Sequence, residues 1–210
     1  VSSPTLISST EELAVFVSPM DPPAALYLDL EGVNLSRHGT ISILTILPKP
    51  QGKVRVIDVL SLASSAFTTT SKNGKTSLKP LLQDPGTPKC LWDARSDADA
   101  LWARYQVRLA GVVDIQLLEN ASRVGNKTLL CGLDKAVRWD LGHSNAKFPR
   151  VQRWFSRKDG FKALMDAEPN IFDVRPIAPE TLQYWRLSEL TACTPNIDII
   201  HFKAFDLAFL

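Results

Sequence analysis

Cysteine, net charge and long apolar segments are all scarce in this 210-residue sequence. There are only 3 cysteines, and because none forms a CxxC or Cys/His pair, we expect neither a disulfide framework nor a structural zinc site. No apolar run reaches the ~20 residues that a membrane span requires, so no membrane association is predicted. Lys plus Arg number 24 and Asp plus Glu number 22, a net charge of +2. This balance disfavours a protein that binds polyanions through its overall charge.

What is present indicates one folded domain with extensions. The sequence is 45% hydrophobic and 22% charged, which is typical of a chain that buries a core. The first residues, Val-Ser-Ser-Pro-Thr, have neither the basic nor the apolar region of a signal peptide. We therefore expect a reducing, intracellular location, either cytoplasmic or nuclear.

Strand-like and helix-like patterns follow one another along the chain. Three strand-like runs, Ala25–Leu30, Ile41–Leu47 and Val54–Val59, are joined by short turn-rich links that favour antiparallel hairpins. Two further strands are predicted at Lys89–Ala94 and Val112–Asp114. The predicted helices cover Glu11–Val17, Leu60–Phe67, Leu78–Gln83, Ser96–Tyr105, the residues after Asp114 through Ser122, Leu133–Asp140, Val151–Lys158, Phe161–Asp166 and Pro179–Thr191. The pattern predicts an α/β fold, with a mixed sheet flanked by helices.

Two carboxylates stand at the end of the first long strand-like run. Acidic residues are depleted in strands, yet Asp29 and Glu31 follow the apolar residues directly. Because strand side chains alternate, both project from one face, about 7 Å apart, where they suit a divalent metal ion. The alternative is that Glu31 merely begins an exposed turn.

A second acidic group follows the fourth strand, at Asp97 and Asp99. Here the competing explanation is helix capping. Ser96 would be a good N-cap, with Asp99 at the N3 position, and acids are favoured in a first helical turn.

Together these segments resemble a known family. Leu28-Asp29-Leu30-Glu31-Gly32, the stretch from Leu91 to Leu101 (LWDARSDADAL) and Val113-Asp114-Ile115-Gln116 resemble an RNase D-type 3′–5′ exonuclease domain of the DEDD group. The stretch Asp29–Leu44 is similar to the subgroup that includes Egalitarian-like exonuclease-domain proteins.

The resemblance implies an RNase H-like fold with a mixed five-stranded sheet and a mechanism that uses two divalent metal ions, Mg²⁺ or Mn²⁺. It implies that Asp29, Glu31 and Asp97 are catalytic metal ligands and that Asp114 has a structural role. Asp99 is not preferred as a ligand, because it lies about 200° from Asp97 around the helix axis. The implied exonuclease-like domain covers residues 25–194. Residues 1–24 are an N-terminal lead with a short helix that belongs to the domain, and residues 195–210 are a divergent C-terminal tail.

The third block of the resemblance is incomplete. Arg175-Pro176-Ile177, followed by Leu182-Gln183-Tyr184, resembles the family's lead-in to a tyrosine that orients the attacking water. Four residues after Tyr184, where the DEDDy pattern has an Asp, this sequence has Ser188, which cannot supply a carboxylate's charge. Glu189 or Asp198 would replace it only if the helix register were unusual.

Basic side chains are concentrated at residues 147–158, KFPRVQRWFSRK. Arg150, Arg153 and Arg157 can share one helical face, with Trp154 and Phe155 on another. One interpretation is an amphipathic helix with a solvated basic side. The other is a phosphate-binding surface with base stacking by an aromatic residue, Trp154 being favoured.

Two functional hypotheses follow. The first is a 3′–5′ exonuclease that hydrolyses 3′-terminal nucleotides of single-stranded nucleic acid, RNA being favoured over DNA, in RNA processing. The second is a weakly active or inactive exonuclease-like domain that binds RNA or a protein partner. Ser188 favours the second, whereas Asp29, Glu31 and Asp97 favour the first.

Overall fold

The computed structural model describes residues 5–18, 23–50, 54–140, 155 and 170–182. Within these residues, six strands form one mixed sheet in the order β1-β4-β3-β2-β5-β6. The strands are β1 Thr5–Ile7, β2 Ala25–Glu31, β3 Ile43–Lys49, β4 Arg55–Asp58, β5 Lys89–Leu91 and β6 Val112–Asp114. β3 runs antiparallel to β2 and β4, and the other pairings are parallel. All strands except β3 therefore point in the same direction.

The helices of the described segments cover the sheet. They are α1 Thr10–Val17, α2 Val59–Leu62, α3 Ser65–Thr68, α4 Leu78–Gln83, α5 Ala94–Tyr105, α6 Ile115–Ser122 and α7 Leu133–Asp140. One further helical turn lies at 179–182. No helix in the described part of the chain is both long and apolar enough to cross a membrane.

The alternation of β2 separates the two faces of the sheet. Leu26, Leu28 and Leu30 are buried in the main hydrophobic core, which also contains side chains from α1 and α5. Because successive strand residues project to opposite faces, Tyr27, Asp29 and Glu31 lie on the other side. We call this second side the acidic face.

The acidic face carries two apolar clusters with acids between them. On one side, Ile43 of β3 and Val56 of β4 pack against Phe172 and Ile177. On the other side, Cys90 and Ile115 form a cluster with Tyr27 and Trp92 packed against it. Asp29 lies opposite Thr45, and Glu31 opposite Ile43, in the β2–β3 register. The side chains of Asp29 and Glu31 thus interrupt what would otherwise be a continuous apolar surface.

The predicted α/β class with a mixed sheet is confirmed. Several boundaries shift, for example from Ile41–Leu47 to Ile43–Lys49, and there are two larger differences. The sheet has six strands rather than the five implied by the resemblance, because Thr5–Ile7 pairs with β4 in parallel. The predicted helix over Leu60–Phe67 is two short helices, because Ala63 between them adopts a positive φ of 50° that an α-helix cannot contain.

Candidate active site

Acidic residues stand at the carboxyl ends of the strands that run in the same direction. Asp29 and Glu31 are at the end of β2, Asp58 ends β4 and Asp114 ends β6, while Asp93 comes just after β5. Since parallel strands end at the same edge of a sheet, the fold brings these side chains to one edge. Such edges are where open α/β sheets bind ligands.

Asp29 lies near the middle of that edge, on the central strand β2. Its side chain is exposed to solvent. Nevertheless, desolvation by the surrounding protein raises the pKa of its carboxyl to about 6. Both observations fit a carboxyl that water reaches from one side while protein atoms crowd the others.

Asp97, in the first turn of α5, is buried at 7% exposure. Desolvation, followed by the charges of Asp29, Asp93 and Asp114, raises the pKa of Asp97 to about 8. The predicted partners Asp29 and Asp97 are therefore close enough to repel one another. A strongly perturbed pKa with charged neighbours marks a candidate functional site.

Asp114 holds the start of α5 in place. Its carboxylate accepts hydrogen bonds from the backbone N–H groups of Asp93 at 3.3 Å and Ala94 at 3.1 Å. It also accepts from Gln116 and Leu117, and so caps α6. These contacts give Asp114 a capping role and fix the turn that positions Asp97.

The predicted N-cap at Ser96 is wrong. α5 begins at Ala94, after Asp93 in the left-handed region with φ 58° and ψ 71°. This change of direction starts the helix three residues earlier than the capping pattern indicates. Asp93 itself forms a bidentate pair with Arg95, with Nε–Oδ1 2.6 Å and Nη2–Oδ2 2.8 Å.

Asp99 is bound by Arg37. Arg37, in the loop between β2 and β3, donates to it from the backbone N at 3.0 Å, from Nε at 3.1 Å and from Nη2 at 2.7 Å. These bonds lower the pKa of Asp99. Asp97 and Asp99 thus have opposite electrostatic environments, although they are the same residue type two positions apart.

Glu31 is half-buried at the end of β2. Gly32 follows it, and only glycine fits there, because a Cβ atom at this position would overlap the carbonyl oxygen of Thr40. Throughout the described segments, no three His, Cys, Asp or Glu side chains lie together as a metal-binding group. Asp29 and Asp97 share an electrostatic environment, but the structure does not bring Glu31 into a three-ligand group with them.

Some predicted site residues lie outside the described residues: Tyr184, Ser188, Glu189, Asp198, Arg150, Arg153, Trp154 and Arg157. Their expected roles stay predictions. The lead-in to Tyr184 is described, and Ile177 and Leu182 belong to the cluster on the acidic face. Phe155, the other aromatic residue named for base stacking, is buried at 6% exposure.

Two residues at this edge are absent from the predicted site. Asp58 forms a buried ion pair with Arg175, and Asp93 contributes to the raised pKa of Asp97. Asp93 could have been suspected because it lies two residues after a buried strand. The sequence offers no comparable signal for the Asp58–Arg175 pair, because its members are 117 positions apart.

No protein-family model and no curated protein matches the chain. Solved structures do match it. Trypanosoma brucei RNase D in complex with RNA U12 aligns with a TM-score of 0.69 and 21% identity over 91% of this chain and 62% of that one. The catalytic core of Trypanosoma brucei RRP6 aligns with a TM-score of 0.54 and 16% identity, covering 97% of this chain and 52% of its own.

Escherichia coli RNase D, described as an exoribonuclease involved in structured RNA processing, gives a TM-score of 0.55 at 14% identity. It is matched over 98% of this chain and 50% of that one. The chain therefore spans between half and two thirds of the length of these structures. At such identities the similarity concerns the fold. This chain has the RNase H-like fold of RNase D and RRP6.

Proposed function

We propose that this chain is a 3′–5′ exonuclease domain that removes 3′-terminal nucleotides from single-stranded RNA with the help of two divalent metal ions. The observation that carries the proposal is the Asp29–Asp97 pair, whose pKa values are raised at the carboxyl edge of the sheet. The RNase D fold supports the reaction class, and the RNA bound to the Trypanosoma brucei enzyme supports the substrate class.

The donor set fits hard divalent cations. Asp29 and Asp97 offer carboxylate oxygens, which Mg²⁺ and Mn²⁺ prefer, and their mutual repulsion would be relieved by a cation between them. In the proposed reaction Asp29, Glu31 and Asp97 would hold the ions. The chemistry that such ions supply when bound is Lewis acidity, which activates water and stabilises the leaving oxygen of a phosphodiester.

Further roles in the proposal belong to residues outside the described segments. Tyr184 orients the attacking water, while Arg150, Arg153 and Arg157 contact phosphates and Trp154 stacks on a base. An RNA substrate and the buried thiols of Cys90 and Cys131 fit an intracellular location, cytoplasmic or nuclear.

The second candidate function is a non-catalytic domain that binds RNA or a protein partner. Ser188 favours it, because a serine stands where the resemblance places the fourth carboxylate. Both candidates use the same fold and differ in whether metal-dependent turnover survives.

Cleavage of a 5′-labelled single-stranded oligouridine in a Mn²⁺ titration separates the two. The exonuclease produces a ladder of products shortened from the 3′ end, and both Asp29→Asn and Asp97→Asn abolish the ladder. Asp99→Asn is the matched control, because it makes the same change two residues from Asp97, and it leaves cleavage within about twofold.

Cleavage that persists in Asp29→Asn would exclude this site as its source. RNA binding without cleavage at any Mn²⁺ concentration would favour the second candidate. If the protein binds neither RNA nor Mn²⁺, the exonuclease proposal is overturned. Of the second candidate function, only the binding of a protein partner would then remain.

A further inference from the structure

Arg175 forms a bidentate ion pair with Asp58, the last residue of β4. Nε lies 2.8 Å from Oδ2 and Nη2 lies 2.7 Å from Oδ1. The two side chains are 20% and 3% exposed, so the pair is largely removed from water. Paired N–H donors that face a carboxylate fix orientation as well as distance.

The remaining donors of the guanidinium bind backbone carbonyls. Nη1 donates to Phe172 at 2.9 Å and to Val174 at 2.8 Å, which closes the loop that contains Arg175. Nη2 also donates to the carbonyl oxygen of Ser42 at 3.3 Å, just before β3. One side chain thus connects the loop with β4 and with the start of β3.

Ser42 continues this connection to the proposed active site. Its backbone N–H donates to the carbonyl oxygen of Glu31 at 2.8 Å. Glu31 is also in register with Ile43, and Ile43 with Asp58, so the three lie in one cross-strand row. The guanidinium therefore holds both Asp58 and the residue that is hydrogen-bonded to Glu31.

The loop that Arg175 closes leads towards Tyr184. Phe172 and Ile177, on either side of Arg175, pack against Ile43 and Val56 on the acidic face. The helical turn at 179–182 follows at once, with Thr181 buried at 3% exposure. The position of Arg175 thus bears on two parts of the proposed site, the end of β2 and the segment that precedes Tyr184.

We propose that Arg175 is a positioning residue that fixes the end of β2, with Glu31, relative to the chain segment that leads to Tyr184. This inference rests on the proposed function for its catalytic consequence. An arginine is required because the role uses Nε, Nη1 and Nη2 at the same time. Lysine keeps the charge but is a compact donor that lacks this planar fork.

The chain offers a matched control in Arg123 on α6. Arg123 pairs with Glu119, at 10% and 7% exposure, and its Nη1 also donates to the carbonyl oxygens of Asn126 and Leu129, each at 3.1 Å. It is thus a second half-buried arginine that joins a carboxylate to a loop. It follows β6 at one edge of the sheet, whereas Arg175 binds β4 near the other. Arg123→Lys therefore reports the loss of stability that follows whenever a guanidinium with such contacts is replaced by lysine.

The experiment compares Arg175→Lys, Asp58→Asn and Arg123→Lys in two measurements. The first is kcat and KM on single-stranded oligouridine in Mn²⁺. In both Arg175→Lys and Asp58→Asn we expect kcat to fall about tenfold or more, because small displacements of reacting groups are costly, with KM within about twofold. We expect Arg123→Lys to lower the melting temperature about as much as Arg175→Lys does, but to leave kcat within about twofold of the wild type.

The second measurement is amide hydrogen exchange, which does not depend on turnover. In Arg175→Lys and Asp58→Asn the Ser42 amide exchanges about tenfold faster relative to core amides such as that of Leu28, as local opening predicts. In Arg123→Lys the ratio of Ser42 to Leu28 exchange is unchanged. Asp58→Asn keeps the volume of the side chain, so it is informative even if Arg175→Lys does not fold.

The outcomes separate this inference from the proposed function. Unchanged relative exchange at Ser42 overturns the positioning role, and so does an equal loss of kcat in Arg123→Lys and Arg175→Lys. If the wild type never cleaves RNA, the exonuclease proposal fails. Faster exchange at Ser42 in Arg175→Lys and Asp58→Asn would still support the connection through Arg175.

Discussion

At the scale of single residues, Asp29 and Asp97 are the main electrostatic feature of the described molecule. Desolvation raises the pKa of Asp29 to about 6, and desolvation together with the charges of neighbouring acids raises the pKa of Asp97 to about 8. Asp99 has a lowered pKa because Arg37 binds it. Asp97 and Asp99 are the same residue type, so their positions on α5 determine that Asp97 is a candidate ligand and Asp99 part of a surface ion pair.

Removing one carboxyl should change the titration of the other. In Asp29→Asn we expect the pKa of Asp97 to fall below about 8, because one of the repelling charges is gone, while desolvation keeps it above its ordinary value. Carboxyl ¹³C NMR titration in metal-free buffer measures this change. Asp99→Asn is the control and should leave the pKa of Asp97 unchanged. If Asp29→Asn also left the pKa of Asp97 unchanged, this would contradict the proximity of Asp29 and Asp97.

The raised pKa of Asp97 also predicts how stability varies with pH. Between about pH 4, near the unfolded pKa, and about pH 8, the folded state binds the extra proton. Stability therefore falls as pH rises through this window, by up to about 1.4 kcal/mol per pH unit. Asp97→Asn removes this loss, so its stability relative to the wild type should increase from pH 5 to pH 8. Urea unfolding in EDTA measures the free energy of unfolding of both proteins. Parallel pH profiles for Asp97→Asn and the wild type would refute the prediction.

At the scale of secondary-structure elements, one carboxylate starts two helices. Asp114 ends β6, caps α6 and binds the backbone N–H groups of Asp93 and Ala94 at the start of α5. A capping pattern in the sequence favours Ser96, but the structure uses an acid from a different strand. No local pattern could reveal this, because the donor and acceptor are about 20 positions apart.

Substitutions at the two candidate caps should differ accordingly. We expect Asp114→Ala to lower the free energy of unfolding by about 1–4 kcal/mol, since it removes the cap of two helices. Asp114→Asn keeps an acceptor oxygen and should cost about half as much. Ser96→Ala, at the cap predicted from sequence, should change stability by less than about 0.5 kcal/mol. Urea denaturation of the three variants makes the comparison, and equal losses for Ser96→Ala and Asp114→Ala would contradict it.

At the scale of the whole molecule, the sheet has one apolar face and one acidic face. β2 lies between β3 and β5, and its alternation sends leucines to the core and carboxylates to the acidic face. Folding thus leaves acids of like charge close together at one edge of the sheet. A bound divalent cation would stabilise the folded molecule, because it offsets that repulsion.

Metal removal tests this at the level of global stability. At about 100 times its dissociation constant, Mn²⁺ should add about 2.7 kcal/mol to the free energy of unfolding. For a chain of this size that corresponds to a rise in melting temperature of about 5–10 °C, reversed by EDTA. Asp29→Asn should abolish the rise and Asp99→Asn should preserve it. An equal rise in both variants would indicate that Mn²⁺ binds elsewhere.

The sequence predicts the part of the fold that depends on short-range patterns. The apolar run of β2, the helix Leu78–Gln83 and the pairing of carboxylates at Asp29 all follow from local alternation and spacing. β1 was missed because three residues are too few to show a period. On α5, Trp102 is 46% exposed and lies beneath the guanidinium of Arg108, a contact that local spacing does not predict. The Arg175–Asp58 contact depends on the tertiary fold and has no local signature.

The short strand β1 has a practical consequence for any shortened version of the chain. It pairs with β4 through Thr5–Ile7, and Ile7 is buried at 1% exposure. A protein trimmed to the predicted core at residue 25 would leave β4 as an uncovered edge, with backbone groups open to another molecule. We expect such a fragment to self-associate and precipitate more readily than the longer chain. Light scattering of the two proteins at equal concentration would reveal the difference.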